Sequence, residues 1–169
     1  MTNLLARTVA INNLPLLPHL PQRVALPTPV REESLPFSVR LVRSEDDLEK
    51  AVTIRHAMYA RHVPHLGETL RNPEAYDFAD DCDVLLAESK LDGSSLGTMR
   101  IHTNFSRPLP LEQSVDLPNW LQGQSLAEAT RLGIGAEKVA PIVKHMLFKA
   151  YFHYCVANGI DWMVITARK

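Results

Sequence analysis

The string EATRLGIG, Glu128 to Gly135, sets a carboxylate inside an otherwise apolar, alternating segment. If Leu126–Ile134 is a strand, period two places Leu126, Glu128, Thr130 and Leu132 on one face and turns Arg131 to the other. A carboxylate buried without a partner carries a penalty of several kcal/mol, or its pKa rises and it holds a proton. A buried Glu with a raised pKa is what a general base for an amine requires. The alternative is a Glu paired with Arg100 or Arg131 solely to close a polar hole, and the strand by itself does not decide between them.

Three further strings carry polar groups at defined spacing. Arg55-His-Ala-Met-Tyr59 puts a cation and an aromatic on one helix face at i and i+4. Glu74-Ala-Tyr-Asp77, followed by Asp80 and Asp81, is an acidic cluster, and Gly97-Thr-Met-Arg100 sets an Arg in a strand. Taken singly, Arg55 reads as a surface charge, Asp77 as a loop acid and Arg100 as half of an ion pair on the sheet. His56, His62, His65, His102, His145 and His153 form no H-x-x-x-H or HExxH pattern with a carboxylate, so no metal site is expected. Cys82 and Cys155 form no CxxC and read as structural thiols in a reducing, cytoplasmic setting.

The elements that must position these groups follow from periodicity. Residues 38–42 alternate as a first strand, and Ser44 before Glu45, Asp46 and Asp47 caps a helix that runs to about His62, ahead of Pro64. Residues 63–82 are irregular or briefly helical. Residues 83–91 and Ser95–Thr103 flank Asp92-Gly93 as a β-hairpin. Residues 104–124 are mostly loop. After Leu126–Ile134 a long helix carries Val139, Ile142, Val143, Met146, Leu147 and Ala150 at 3.6-residue spacing and stops at Asn158-Gly159. Residues 160–167 read as a buried strand. This β-α-(α)-β-β-β-α-β order is α/β (α+β), with a mixed central sheet flanked by helices, and fits an acyltransferase layout of the GNAT type. Other α/β arrangements share the pattern.

Composition bounds the rest. The 169 residues carry 18 Lys plus Arg against 19 Asp plus Glu. That balance excludes a general nucleic-acid binder, though a local basic patch is compatible with it. No apolar run reaches the roughly 18 to 20 residues a membrane-spanning helix needs. Of 12 prolines, Pro15, Pro18, Pro21, Pro27, Pro29 and Pro36 crowd one stretch, so residues 1–37 read as an extended or disordered extension ahead of a domain at 38–169.

In order, R-x-x-x-[FY], [DE]-x-Y-D, G-x-x-R-[IL] and E-x-[ST]-R-[FL]-x-[VI] resemble the acyl-homoserine-lactone autoinducer synthases. The resemblance is stronger to their relatives, the long-chain N-acyl amino acid synthases, over roughly residues 38–169. It implies a GNAT-like fold and transfer of a fatty acyl group from acyl-carrier protein to a small amine or amino acid. The co-substrate would be an acyl-phosphopantetheine thioester, with acyl-CoA the less favoured donor and no permanently bound cofactor. By the same resemblance Glu128 is the general base, directly or through water. Arg131 and Arg100 join a network with Asp77, and Arg55 and Tyr59 lie over the substrate entrance. The autoinducer synthases carry a Trp after the first motif where this chain has Val63-Pro64-His65-Leu66-Gly67, which disfavours lactone synthesis. Glu74 also stands where Asp is commoner.

Acetyl-CoA-dependent GNAT enzymes cradle a pyrophosphate with [QR]-x-x-G-x-[GA] at a helix start. Gly133 and Gly135, the expected cofactor-binding residues, fall one position off that spacing, which suits a carrier-protein donor lacking the pyrophosphate. Lys138, Lys144, Lys149 and Arg131 could meet an acidic carrier, or could be a solvated helix face. The resembling families continue past the last strand, so the fold is expected to be cut short at its C-terminal end. The competing readings are an acetyl-CoA-dependent acetyltransferase and a non-catalytic module that binds a carrier protein or lipid.

Overall fold

The computed structural model describes residues 34–166. β1 (Phe37–Leu41) is followed by α1 (Glu45–His62), α2 (Pro64–Thr69) and a 3-10 turn at Ala75–Phe78. Then come β2 (Cys82–Ser89), β3 (Ser95–Thr103), a second 3-10 turn at Pro110–Gln113, β4 (Leu126–Ile134), α3 (Ala140–Ala157) and β5 (Trp162–Ile165).

The helix signals act as expected. Ser44 Oγ accepts the Asp47 N–H at 3.2 Å, and three acids occupy the first turn of α1, where the helix dipole favours them. Pro64 opens α2, where its missing N–H is harmless. The two helices touch at Gly67, where a Cβ would lie 2.4 Å from the Ala60 Cα. Asn158 and Gly159, the latter at φ +64°, end α3.

The five strands run in order β1-β2-β3-β4-β5. The first four form an antiparallel meander, and α3 carries the chain over to β5, which pairs parallel with β4. Gly93, at φ +71°, makes the β2–β3 turn. Leu85, Ala87, Met99, Ile101, Ala127 and Ala129 face α3, where Val143, Leu147, Tyr151 and Cys155 close the main core. Val84 and Leu86 take the opposite face with Ala51 of α1.

Two expectations are corrected. Phe37, assigned to the extension, opens β1 opposite Ser89 and is buried in the core, with Leu35 packed against it. Residues 1–33 lie outside the described part, as does Ala167. The last strand is not buried: Trp162, Met163 and Ile165 are all exposed. β5 is a short edge strand whose faces are incompletely covered and which, among the described residues, has a neighbour on one side only.

Candidate active site

The face of the sheet beneath α1 carries the polar residues. Register sets Cys82 opposite His102, His102 opposite Glu128, and Glu128 beside Val164 in one cross-strand row. The next row is Val84, Arg100 and Thr130. Cross-strand partners share a face, so these rows lie together under the helix.

Glu74 and Asp77 gather the arginines. Three residues apart in a 3-10 turn, they project on one side, and Asp77 Oδ2 accepts the Glu74 N–H at 2.7 Å. Arg55 of α1 grips Asp77 with two hydrogen bonds of 2.9 and 2.6 Å, with both side chains buried. Arg100 reaches Glu74 at 3.1 Å and Asp77 at 3.2 Å. Arg131 makes a two-point contact with Glu74, both bonds 2.8 Å. Burial works to raise the pKa of each carboxyl, and the guanidinium contacts outweigh it: Asp77 and Glu74 both sit below their ordinary values.

Arg131 reaches this network through a bulge. Between Thr98↔Gly133 and Arg100↔Thr130, β3 spends one residue and β4 spends two. Arg131 takes φ +52°, in the left-handed region. The extra residue breaks period two. It brings Arg131 to the side of Glu128 and Thr130, and sends Leu132 to the α3 core. The strict alternation read from the sequence had these two reversed.

Glu128 stands apart from the ion pairs. It is 2% exposed. One oxygen accepts the Leu111 N–H at 2.8 Å, and the Thr166 hydroxyl lies 3.4 Å from the other. Among the described residues no Lys or Arg pairs with it, because Arg100 and Arg131 are committed to Glu74 and Asp77. Burial therefore prevails and raises its pKa, against the Leu111 hydrogen bond. The hole-closing ion pair that competed with the general-base reading is absent from this geometry.

Beside Glu128, Arg100 Nε–H donates to His102 Nε2 at 3.2 Å. Guanidinium nitrogens only donate, so Nε2 accepts and the ring proton sits on Nδ1, 3.0 Å from Cys82 Sγ. Burial, with the Arg100 charge, lowers the His102 pKa to about 4, so the ring is neutral at pH 7. Tyr76 packs edge-on against this ring, 5.0 Å between centroids, and lies under the guanidinium groups of Arg100 and Arg107. Burial pushes the Cys82 thiol up to about 12, and Cys155 is a buried core thiol. Neither is poised as a nucleophile.

The remaining expected residues take particular places. Tyr59 is half-buried, one turn beyond Arg55 on α1. Arg55 is an interior strut, not a residue over an entrance. Gly133 lies within β4, where a Cβ would come 3.3 Å from the Arg55 Cα, so its small size serves helix-on-sheet packing. The Gly135 N–H is already donated to the Leu96 carbonyl at 2.9 Å. Both glycines thus have reasons that need no phosphate. Lys138, Lys144 and Lys149 are exposed, whereas Arg131 is held by Glu74. Among the described residues, no three His, Cys, Asp or Glu side chains are grouped to hold a metal ion. Nor is any helix there long and apolar enough to cross a membrane.

Sequence reasoning missed the weight of Glu74, which accepts from two arginines, and the Arg100–His102–Cys82 chain. The signal for the second was present: Arg100 and His102 are two apart in one strand and share a face.

A meander, a crossover helix and a parallel strand, with a buried carboxylate on β4 that has no cationic partner among the described residues, make up a GNAT-like α+β fold. The profile of the family described as N-acyl amino acid synthase FeeM matches residues 50–169, and the chain belongs to that family. Among solved structures it is similar to FeeM, an N-acyl amino acid synthase from uncultured soil microbes, at 18% identity and TM-score 0.58, over 76% of this chain and 70% of that one. An aminoglycoside acetyltransferase from an uncultured soil metagenomic sample matches at 13% identity and TM-score 0.56, over 80% and 82%. An integron cassette protein from the mobile metagenome of V. cholerae matches at 12% identity and TM-score 0.56, over 80% and 78%. These likenesses establish the fold. No curated protein sequence matches the chain.

Proposed function

We propose that the chain transfers a long-chain fatty acyl group from the phosphopantetheine thioester of acyl-carrier protein to the α-amine of an amino acid, in the cytoplasm. The carrying observation is Glu128: buried, without a cationic partner among the described residues, and raised in pKa by burial beside arginines that are already paired. Even an α-amine with a pKa near 8 is only about one-tenth neutral at pH 7, and a free amino acid is less favourable still. A carboxylate with a raised pKa is the better acceptor for the proton that must leave. As the amine nitrogen bonds to the thioester carbon, Glu128 takes the N–H proton directly or through a water. The C–S bond then breaks and the thiolate departs.

Beyond Ala129, β4 has β3 on one side and, among the described residues, no strand on the other. That open edge offers backbone N–H groups for the developing oxyanion and for the amides of a pantetheine arm. The donor reading is further supported by α3, which carries Lys144, His145, Lys149 and His153 and no acidic residue, with Ile142 and Phe152 exposed among them. A basic and apolar helix face suits an acidic carrier.

Mass spectrometry of lipids from cells expressing the chain, with and without Glu128→Gln, tests the reading. The expected result is an N-acyl amino acid that falls by roughly 100-fold or more in the variant, the range for loss of a general base. Undiminished product removes Glu128 from the mechanism, and acetylated amines in its place favour acetyl-CoA as donor.

A further inference from the structure

Arg100, Thr130, His102 and Glu128 stand at the corners of one cross-strand rectangle on the face beneath α1, with Arg100 opposite Thr130 and His102 opposite Glu128. Arg100 and Glu128 therefore occupy one diagonal. Diagonal neighbours lie roughly 7 to 8 Å apart, within reach of a long side chain, so an ion pair between them is sterically available. Electrostatics favours it as well. The guanidinium groups of Arg55, Arg100 and Arg131 face the carboxylates of Glu74 and Asp77, and Arg100 shares each of its acids: Asp77 with Arg55 and Glu74 with Arg131. A buried Glu128 carboxylate would supply the third counter-charge, yet the bonds of Arg100 go elsewhere.

The other diagonal accounts for the separation. His102 Nε2 lies 3.0 Å from the Thr130 hydroxyl, so these two side chains join across the rectangle, between the arginine and the acid. The same nitrogen accepts the Arg100 Nε–H at 3.2 Å, which fixes the guanidinium on the side of Glu74 and Asp77. Nε2 accepts only while the ring proton stays on Nδ1. Cys82 Sγ, 3.0 Å from Nδ1, and Tyr76, edge-on to the ring, hold that pose. The other charged groups around the rectangle are Glu74 and Asp77 from the first 3-10 turn, Glu112 from the second, Arg131 on β4, and Asp81 with Arg107 beyond Cys82. Resting on the reading of Glu128 as the base, we infer that His102 is a positioning residue: with Thr130 it bars Arg100 from Glu128 and so keeps the acid free to take a proton.

Titration of the Glu128 carboxyl by carbon-13 NMR, its resonance assigned through Glu128→Gln, tests this on the full chain without substrate. In His102→Leu, Arg100 is released to Glu128. The midpoint should then fall from above 4.5 to below it, since an opposite charge at contact lowers a carboxyl by about one to three pH units. Loosened packing that merely admits water would bring the midpoint back to 4.5 and no lower. His102→Gln, which restores an acceptor near Nε2, should titrate like the parent chain and keep forming product in the lipid assay, whereas His102→Leu should lose it. Should His102→Leu fail to fold, Thr130→Val removes one end of the bridge without touching the ring, and its midpoint is expected below 4.5 as well. Midpoints that stay at or above 4.5 in the bridge-breaking variants, or that fall equally in His102→Gln, would overturn the role of His102 and leave the acyl-transfer reading standing. Undiminished product from Glu128→Gln would overturn the transfer role of Glu128 whatever the titration shows.

Discussion

Glu128 destabilises the fold that contains it. Its folded pKa lies above the ordinary 4.5, raised first by burial. The unfolded chain therefore ionises more readily, and stability falls as pH rises through the window from 4.5 to the raised folded value. Above that window the whole penalty is present. Glu128→Gln removes the charge and keeps an acceptor for the Leu111 N–H. The variant's thermal midpoint at pH 7.5 is thus expected to equal or exceed that of the parent chain, with the difference closing near pH 4. Thermal scans at the two pH values check this. A variant clearly less stable at pH 7.5 would mean that the carboxylate serves the fold. Lost transfer with undiminished stability is the signature of a group kept for chemistry.

At the scale of elements, the decisive piece is one residue inserted into β4. Arg131 occupies φ +52°, which disfavours any residue with a Cβ by about 1 to 2 kcal/mol. Its two-point contact with Glu74 holds it there. Arg131→Ala loses the contact and keeps the strain, whereas Arg131→Gly loses the contact alone. Chemical denaturation is expected to rank glycine above alanine by about 1 kcal/mol, and the reverse order would mean the bulge has shifted. The Arg55–Asp77 pair ties α1 to the 3-10 turn. Arg55→Ala leaves Asp77 buried and short of a partner, at an expected loss of about 3 to 5 kcal/mol at neutral pH. Because Asp77 sits below its ordinary 3.8 in the folded state, that stabilisation is complete above 3.8 and is lost as pH falls through the lower folded value. The parent and variant stability curves should converge in acid.

These elements also show where sequence was sufficient. Ser44, the Asp92-Gly93 turn and the apolar stripe of α3 are local signals, and each element stands within a few residues of its predicted bounds. Period two placed Glu128 correctly and Arg131 wrongly, because a bulge is a property of two strands in register and β3 is distant in sequence. Glu128 could be recognised as a buried acid. That it has no cationic partner among the described residues depends on Glu74 and Asp77 claiming Arg100 and Arg131 first, which only the folded chain decides. The exposure of β5 escaped for a related reason: the largely apolar run 160–167 reads as buried until its neighbours are counted.

For the whole molecule, the consequence is an uneven distribution of stability along the sheet. β3 is paired on both sides and lies between α1 and α3, and all but its first residue are buried. Its amides exchange only when most of the structure opens. β5 has one neighbouring strand among the described residues, exposed side chains on both faces, and attachments chiefly through its ladder to β4, the packing of Val164 on the Leu126 cluster, and the Tyr151 hydroxyl, which lies 3.3 Å from the Val164 carbonyl. Opening it sacrifices little buried apolar surface. Native-state hydrogen exchange is expected to find the Met99 and Ile101 amides the slowest, near the global limit, and the Val164 and Ile165 amides faster by at least about a hundredfold. Matched protection in β3 and β5 would refute the gradient. The arrangement divides labour at Glu128: its own strand is anchored through β3 to the most stable part of the fold, while the strand beside it belongs to the part that opens most readily.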